Sequence, residues 1–396
     1  MMWMCFMSRR SRVEMRIASL VADRAACGFS MTRATKSAQP GARGGDPAPI
    51  VPISSFHGWK RLKPRGAPTA ILVHAPTPPS AISFERRRYS VSRHAIQWSG
   101  VFPAVSTQFK PDFSLDVDAT HRVVKNLVND GVSGLVVCGT VGENTSLGTA
   151  EKLAVIEAAR DAAGGKVPVI AGVAEFTTEF ARNTVREAQR VGVDGVMVMP
   201  ALVYSAKPHE TAAHFRAVAS STDLPVMVYN NPPIYRNDVT PDVLIALQDC
   251  ENIVCFKDSS GDTRRFVDLR NAVGDRFVLF AGLDDVVVES IAVGAQGWVS
   301  GMSNAFPKEG ETLFRLAKQK RFDEALALYR WFMPLLHLDA RPDLVQCIKL
   351  CEELVGRGSA LTRPPRLALQ GDTLAHVKAI VAKALETRPT LPDVGL

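Results

Sequence analysis

From residue 99 onward the chain alternates short apolar runs with longer amphipathic ones. The apolar runs are GVFPAVST (100–107), GLVVCG (134–139), VPVIAGV (167–173), GVMVMP (195–200), LPVMVYN (224–230), IVCFKD (253–258), FVLFAG (277–282) and GWVSGMSN (297–304). They are short, continuous and rich in valine, the pattern of parallel strands buried on both faces. Each is followed by a segment with apolar residues at helical spacing, such as LDVDATHRVVKNLVNDG (115–131), closed by Gly131, and TTEFARNTVREAQRVG (177–192). Eight strand–helix units in about 220 residues predict an α/β TIM (β/α)8 barrel, with the boundaries 93–320. A doubly wound sheet is the rival, but no G-x-G-x-x-G follows the first strand. Beyond about residue 320 only helical patterns remain, ending in TLAHVKAIVAKALE (373–386). Residues 321–396 are therefore expected to form a C-terminal helical subdomain on the barrel.

Charge changes the picture of the N-terminal quarter. Residues 1–90 carry 15 Lys/Arg against 4 acidic residues, which leaves 32 basic and 36 acidic for the rest, a net −4 hidden inside the overall +7. A mildly acidic body offers no general attraction to nucleic acid. The first ninety residues are rich in Arg, Pro, Ser and Gly and lack sustained periodicity. We read 1–92 as a disordered basic extension, explained by a mis-assigned start: in a bacterial gene a valine codon can initiate, and Val91 would give a normal N-terminus. A transit peptide fits poorly with this much proline, and IASLVA is too short for a secretory core. A nucleic-acid tail is a lesser alternative, since it lacks interleaved aromatics.

Seven cysteines include no CxxC pair, which favours free thiols in a reducing, cytoplasmic setting over disulfides or metal. No apolar run approaches the ~18 residues of a membrane span.

In a (β/α)8 barrel, chemistry sits at the C-terminal ends of the strands, and the unusual residues cluster there. Strand 2 runs into Gly139-Thr140-Val141-Gly142-Glu143-Asn144, strand 5 ends Tyr229-Asn230-Asn231-Pro232, and strand 6 ends at Lys257. Strand 7 runs into Gly282-Leu283-Asp284-Asp285, and strand 8 into Ser300-Gly301-Met302-Ser303-Asn304. Lysine is rarely fully buried. One aimed into a dry barrel mouth loses hydration, which favours its neutral, carbonyl-attacking amine. Pairing with Asp258 or reaching to the rim is the bland alternative. Tyr229 can donate and accept a proton, or simply fill the core. The Gly139–Gly142 loop can hold a carboxylate through close backbone approach and the Thr140 hydroxyl, or be a plain turn.

Together these segments resemble the dihydrodipicolinate synthase / N-acetylneuraminate lyase family from about Ile96 to Leu385. GTVGEN resembles its GTTGE or GSTGE loop, VYNNP its YNxP motif, CFKDSSGD its strand-6 lysine segment and RPPRLAL the stretch before its last helix. The resemblance implies a lyase that forms a lysine Schiff base, usually as a homotetramer built from dimers, with no metal and no dissociable cofactor. It assigns Lys257 to the Schiff base, Tyr229 to the proton relay and Thr140 to the grip on a 2-oxo acid carboxylate. Substrate-binding candidates are Thr140, Val141, Gly139, Asn231, Gly282, Asp284 and Ser303.

Three departures bear on the substrate. Lysine-pathway synthases carry a second adjacent hydroxyl residue where this chain has Val141. They also carry an arginine, for the second substrate's carboxylate, where it has Ile234; Arg236 follows two residues later. The cross-dimer tyrosine of the family has only a register-shifted counterpart, Tyr204. YNNPPIYRNDVTPD, GLDDVVVES, GMSNAFPKE and ARPDLVQCIK look most like the branch that degrades hydroxyproline, whose activity is 1-pyrroline-4-hydroxy-2-carboxylate deamination. The alternatives are a 2-keto-3-deoxy sugar-acid aldolase or dehydratase, a 4-hydroxy-tetrahydrodipicolinate synthase, and a non-catalytic ligand-binding barrel.

Overall fold

The computed structural model describes residues 96–396. The extension read over 1–92, and the start at Val91, lie outside the described residues. Eight parallel strands form one sheet: β1 Gly100–Pro103, β2 Leu135–Val137, β3 Val169–Val173, β4 Gly195–Val198, β5 Val226–Asn230, β6 Ile253–Asp258, β7 Val278–Ala281 and β8 Gly297–Ser300. The order is β1-β8-β7-β6-β5-β4-β3-β2. A parallel bridge from Ala104 to Val136 joins the last strand back to the first, and the Val105 N–H donates to the Val136 carbonyl at 2.8 Å. The sheet thus closes into a TIM barrel with helices between the strands.

Local chemistry sets the element ends. Asp116 caps the helix Val117–Asn129, its side chain accepting from the Ala119 N–H, and Thr177 caps Thr178–Val191 in the same way. Such caps are worth about 1 kcal/mol each. Gly192 ends that second helix at φ 86°, a left-handed conformation that favours glycine. The strands are buried almost throughout, which is why they read as continuous apolar runs rather than alternating ones. Phe102 and Phe280 meet edge to face at 5.3 Å, with Trp98 against both. A Cβ at Gly297 would lie 2.2 Å from the Phe280 ring and one at Gly134 would lie 2.5 Å from Phe102, so these glycines make room for the aromatic cluster.

After the last barrel helix, Pro307–Lys318, come the helices Phe322–Leu336, Leu344–Leu354 and Gly371–Glu386. Two sequence expectations are adjusted here. The segment 240–250 gives only a short helix, Pro241–Ile245, and a further helix, Pro232–Tyr235, follows β5 directly. Four residues with two prolines carry no helical periodicity, although proline suits the first turn of a helix. Among the described residues, no helix is long and apolar enough to cross a membrane.

Candidate active site

β5 and β6 pair in parallel with Tyr229 opposite Lys257. In-register neighbours of a parallel sheet point to the same face, so the phenol and the amine emerge together. The Lys257 Nζ sits over the Tyr229 ring, 4.1 Å from its centre. Lys257 is only 5% exposed. Gly282 makes its position possible: a Cβ there would lie 2.7 Å from Lys257 Cε and 2.2 Å from Ser259 Oγ.

Asn231 orients the phenol. Its Oδ1 accepts from the Ile234 N–H at 3.2 Å, which turns Nδ2 to donate to the Tyr229 hydroxyl at 2.9 Å. The phenolic oxygen is thereby an acceptor, and its proton is available for another partner. The turn Pro232–Tyr235 then brings a second tyrosine to the site. Tyr235 lies edge-on to Tyr229 at 5.9 Å, and its hydroxyl is 2.5 Å from Thr140 Oγ1. Burial raises the Tyr235 hydroxyl above the ordinary phenol range, with Tyr229 adding to the effect, so Tyr235 stays a proton donor.

The loop bearing Thr140 is held from behind. Asn144 Nδ2 donates to the carbonyls of Cys138 and Gly172 at 2.9 and 3.1 Å, and the Thr107 hydroxyl to the Gly142 carbonyl at 2.7 Å. Glu143, in a left-handed conformation at φ 53°, forms an ion pair with Lys349 at 3.0 Å, both side chains fully buried. Lys349 also donates to the Thr107 carbonyl at 2.7 Å, and Glu143 accepts from the Arg363 N–H at 2.9 Å. The C-terminal helices thus clamp the Gly139–Asn144 loop from outside the barrel.

These parts surround a cavity of about 370 Å3. Of the sequence candidates, Gly139, Thr140, Val141, Asn231, Gly282, Tyr229 and Lys257 line it. Asp284 and Ser303 do not, which corrects their expected contact with substrate. The Asp284 carboxylate is taken up by Trp298 Nε1, Ser300 Oγ and the N–H groups of Gly301 and Met302, at 2.9, 3.1, 3.3 and 2.7 Å. It ties β7 to the end of β8. Burial pushes its carboxyl up to about 6 against the pull of these donors. Ser303 turns to the helix Pro307–Lys318, where a Cβ at Gly310 would meet its hydroxyl at 2.3 Å. Tyr204 is also away from the cavity, exposed and donating to Glu210 at 2.9 Å.

Three cavity or near-cavity groups had escaped the sequence reading. The Ser259 hydroxyl is buried at the cavity wall with no hydrogen-bond partner among the described residues; the DSS run after Lys257 was its signal. Tyr235 stands three residues past the YNNP proline. Asp339, from the loop after Phe322–Leu336, carried no signal, because a loop between helices outside the barrel gives no hint of reaching into it. Ile234 lines the cavity, whereas Arg236 caps the turn from outside, in a left-handed conformation at φ 57°. Arg341 at the mouth is held by Asp343 through two bonds of 2.7 and 3.0 Å. Among the described residues, no group of three or more His, Cys, Asp or Glu could hold a metal ion.

The cavity presents the Lys257 amine, the Tyr229 phenol and the Thr140 and Ser259 hydroxyls, with Tyr235 beside it on Thr140. The profile of the dihydrodipicolinate synthetase family matches residues 97–384. The 4-hydroxy-tetrahydrodipicolinate synthase of Methanospirillum hungatei is 31% identical over 291 residues, covering 72% of this chain and 99% of that protein. The synthase of that name from Synechococcus sp. strain WH7803 is 34% identical over 285 residues, covering 69% and 94%. Among solved structures, dihydrodipicolinate synthase from Aquifex aeolicus superimposes with a TM-score of 0.69 at 26% identity, over 72% of this chain and 97% of that one. YagE of E. coli K12, a prophage protein of the same family in complex with pyruvate, does so at 0.69 and 26%, over 73% and 99%. The chain belongs to the dihydrodipicolinate synthetase family, and it is a lyase of that family.

Proposed function

We infer that the protein forms a Schiff base through Lys257 with a small 2-oxo or cyclic 2-imino acid bearing one carboxylate. The substrate we assign is 1-pyrroline-4-hydroxy-2-carboxylate, converted with loss of ammonia to 2-oxoglutarate semialdehyde. The observation that carries this reading is the apolar wall. Ile234 and Val141 line the cavity where a synthase would hold the carboxylate and relay of a second substrate, and Arg341 is engaged by Asp343.

The residues divide the work as follows. Neutral Lys257 attacks C2 of the ring, and the ring nitrogen leaves as the amine, giving a lysine iminium. Thr140, steadied by Tyr235, holds the carboxylate with the N–H groups of its loop. Tyr229 moves protons on and off the reacting atoms, a role its free phenolic proton suits. The iminium takes up the electron pair when a C3 proton leaves, and hydroxide then departs from C4. A proton shift from C5 to C3 turns the resulting C3=C4 bond into the C4–C5 enamine, which tautomerises and hydrolyses to the aldehyde and ammonia, and water frees the 2-oxo acid from Lys257. Cytoplasmic residence and assembly as a homotetramer belong to the same proposal.

The test is ammonia release from 4-hydroxy-1-pyrroline-2-carboxylate, alongside borohydride trapping with pyruvate. Wild type should release ammonia, Lys257→Ala should lose both turnover and trapping, and Tyr229→Phe should slow turnover by roughly 10²–10⁴. Trapping without ammonia release would keep the lysine chemistry and move the substrate to sugar acids. Condensation of pyruvate with aspartate semialdehyde would move it to the synthase reaction.

A further inference from the structure

We propose that Asp339 is the catalytic acid that protonates the departing 4-hydroxyl, an assignment that rests on the deaminase reading above. Asp339 comes from outside the barrel. The loop between Phe322–Leu336 and Leu344–Leu354 crosses the cavity, and Asp339, Ala340, Arg341 and Pro342 line it. Asp339 is only 7% exposed. Its carboxyl enters over the end of β8, where a Cβ at Gly301 would lie 2.3 Å from Oδ1. Gly301 therefore opens the path by which this side chain shares the cavity with Lys257.

The groups around it determine its protonation. Asp284 faces it from the segment after β7, with Asp285 beside that and Lys257 from β6. Asp285 is itself engaged by His337 at 3.0 Å, and Arg341 by Asp343. Two neighbouring carboxyls in a buried site do not ionise together. Asp284 has four donors for its charge and Asp339 only the Asp284 N–H, so Asp284 ionises first and the proton stays on Asp339. Burial pushes the Asp339 carboxyl well above the usual carboxylate range, Asp284 adding to this and Lys257 opposing it. Environments that push two carboxyls apart are how one site supplies an acid at neutral pH.

The step balances. Tyr229 gives its proton to the departing ring nitrogen, and the phenolate then takes a C3 proton, the C3–H pair becoming the C2=C3 bond of the enamine. That pair then forms C3=C4, the lysine nitrogen's lone pair re-forms the C2=N iminium, and the C4–O bond breaks with its pair on oxygen. The Asp339 proton converts the leaving hydroxide to water. The Asp339 carboxylate next takes a C5 proton, which regenerates the acid, while Tyr229 returns its proton to C3. What remains is the C4–C5 enamine that hydrolyses to release ammonia.

The experiment uses the full chain and two substrates, 4-hydroxy-1-pyrroline-2-carboxylate and its 4-chloro analogue, whose chloride leaves without a proton. Asp339→Asn should trap pyruvate under borohydride as wild type does and release ammonia from the hydroxy substrate roughly 10²–10⁴-fold more slowly. Its release from the chloro analogue should stay within about threefold of wild type, a rescue that a packing role would not give. Unchanged release from the hydroxy substrate, or equal losses on both substrates, overturns the assignment. If Asp339→Asn fails to trap pyruvate, the same comparison on Asp339→Ser decides by the same outcomes. Wild type that traps pyruvate but releases no ammonia from the hydroxy substrate overturns the deaminase reading itself, and this role with it. Wild-type activity retained in the variant overturns only Asp339.

Discussion

Tyr235→Phe removes a single oxygen from the pair with Thr140 and leaves the edge-on ring contact with Tyr229 intact. Losing one partner of a buried hydrogen bond costs about 1–3 kcal/mol. If that pair steadies the carboxylate grip, kcat/KM should fall roughly ten- to a hundredfold, while borohydride still traps Lys257 at saturating pyruvate. A variant with wild-type kcat/KM would show that Thr140 works without its phenolic neighbour. The same scale explains why Asp284 was misjudged from sequence. An acidic residue at a strand's C-terminal end looks available for substrate, and only the four donors folded around it reveal that its carboxylate is already used.

At the scale of elements, the loop after β2 depends on a helix more than two hundred residues away. Lys349 on Leu344–Leu354 reaches Glu143 and the Thr107 carbonyl. A buried ion pair is a weak source of net stability, but removing one partner strands the other charge and costs about 3–5 kcal/mol. Lys349→Met should therefore lower the unfolding free energy measured in urea by an amount in that range, and Glu143→Gln with Lys349→Met should recover part of the loss. A double variant whose loss equals the sum of the two single losses would mean that the pair carries no coupling. Because this loop bears Thr140, the singles should also raise KM more than they lower kcat.

Across the whole molecule, several buried carboxyls make stability depend on pH in an unusual direction. Burial pushes Glu352 from an ordinary 4.5 up to about 7, with the Ser106 hydroxyl, Lys349 and Arg357 pulling the other way. The folded state then binds this proton more tightly than the unfolded chain does. Its favourable contribution is complete below about 4.5 and is lost as pH rises through about 7. Asp284, raised to about 6, acts in the same direction. Unfolding in urea at pH 5 and pH 8 should show wild type losing stability toward the higher pH. Glu352→Gln, which can still accept from Ser106, should flatten that loss by an amount on the order of 2–3 kcal/mol. Parallel pH curves for the two proteins would rule out Glu352 as the source.

The eight Val-rich runs were sufficient to define the barrel, because a strand buried on both faces must be apolar along its length. A lysine directly after such a run, at a strand's C-terminal end, was equally legible, since burial of an amine is costly enough to demand a reason. Tyr229, the Gly139–Gly142 loop and Asn231 followed by position alone, and the structure brings all of them to one cavity with Lys257. Tyr235 and Asp339 were not legible. Tyr235 needs the turn Pro232–Tyr235 to fold back on Thr140, and Asp339 needs a loop from the C-terminal helices to cross the cavity over Gly301. Periodicity and strand position are local properties that a sequence carries by itself. Which distant side chain completes a cavity depends on how whole elements pack, and that was decided only by the tertiary structure.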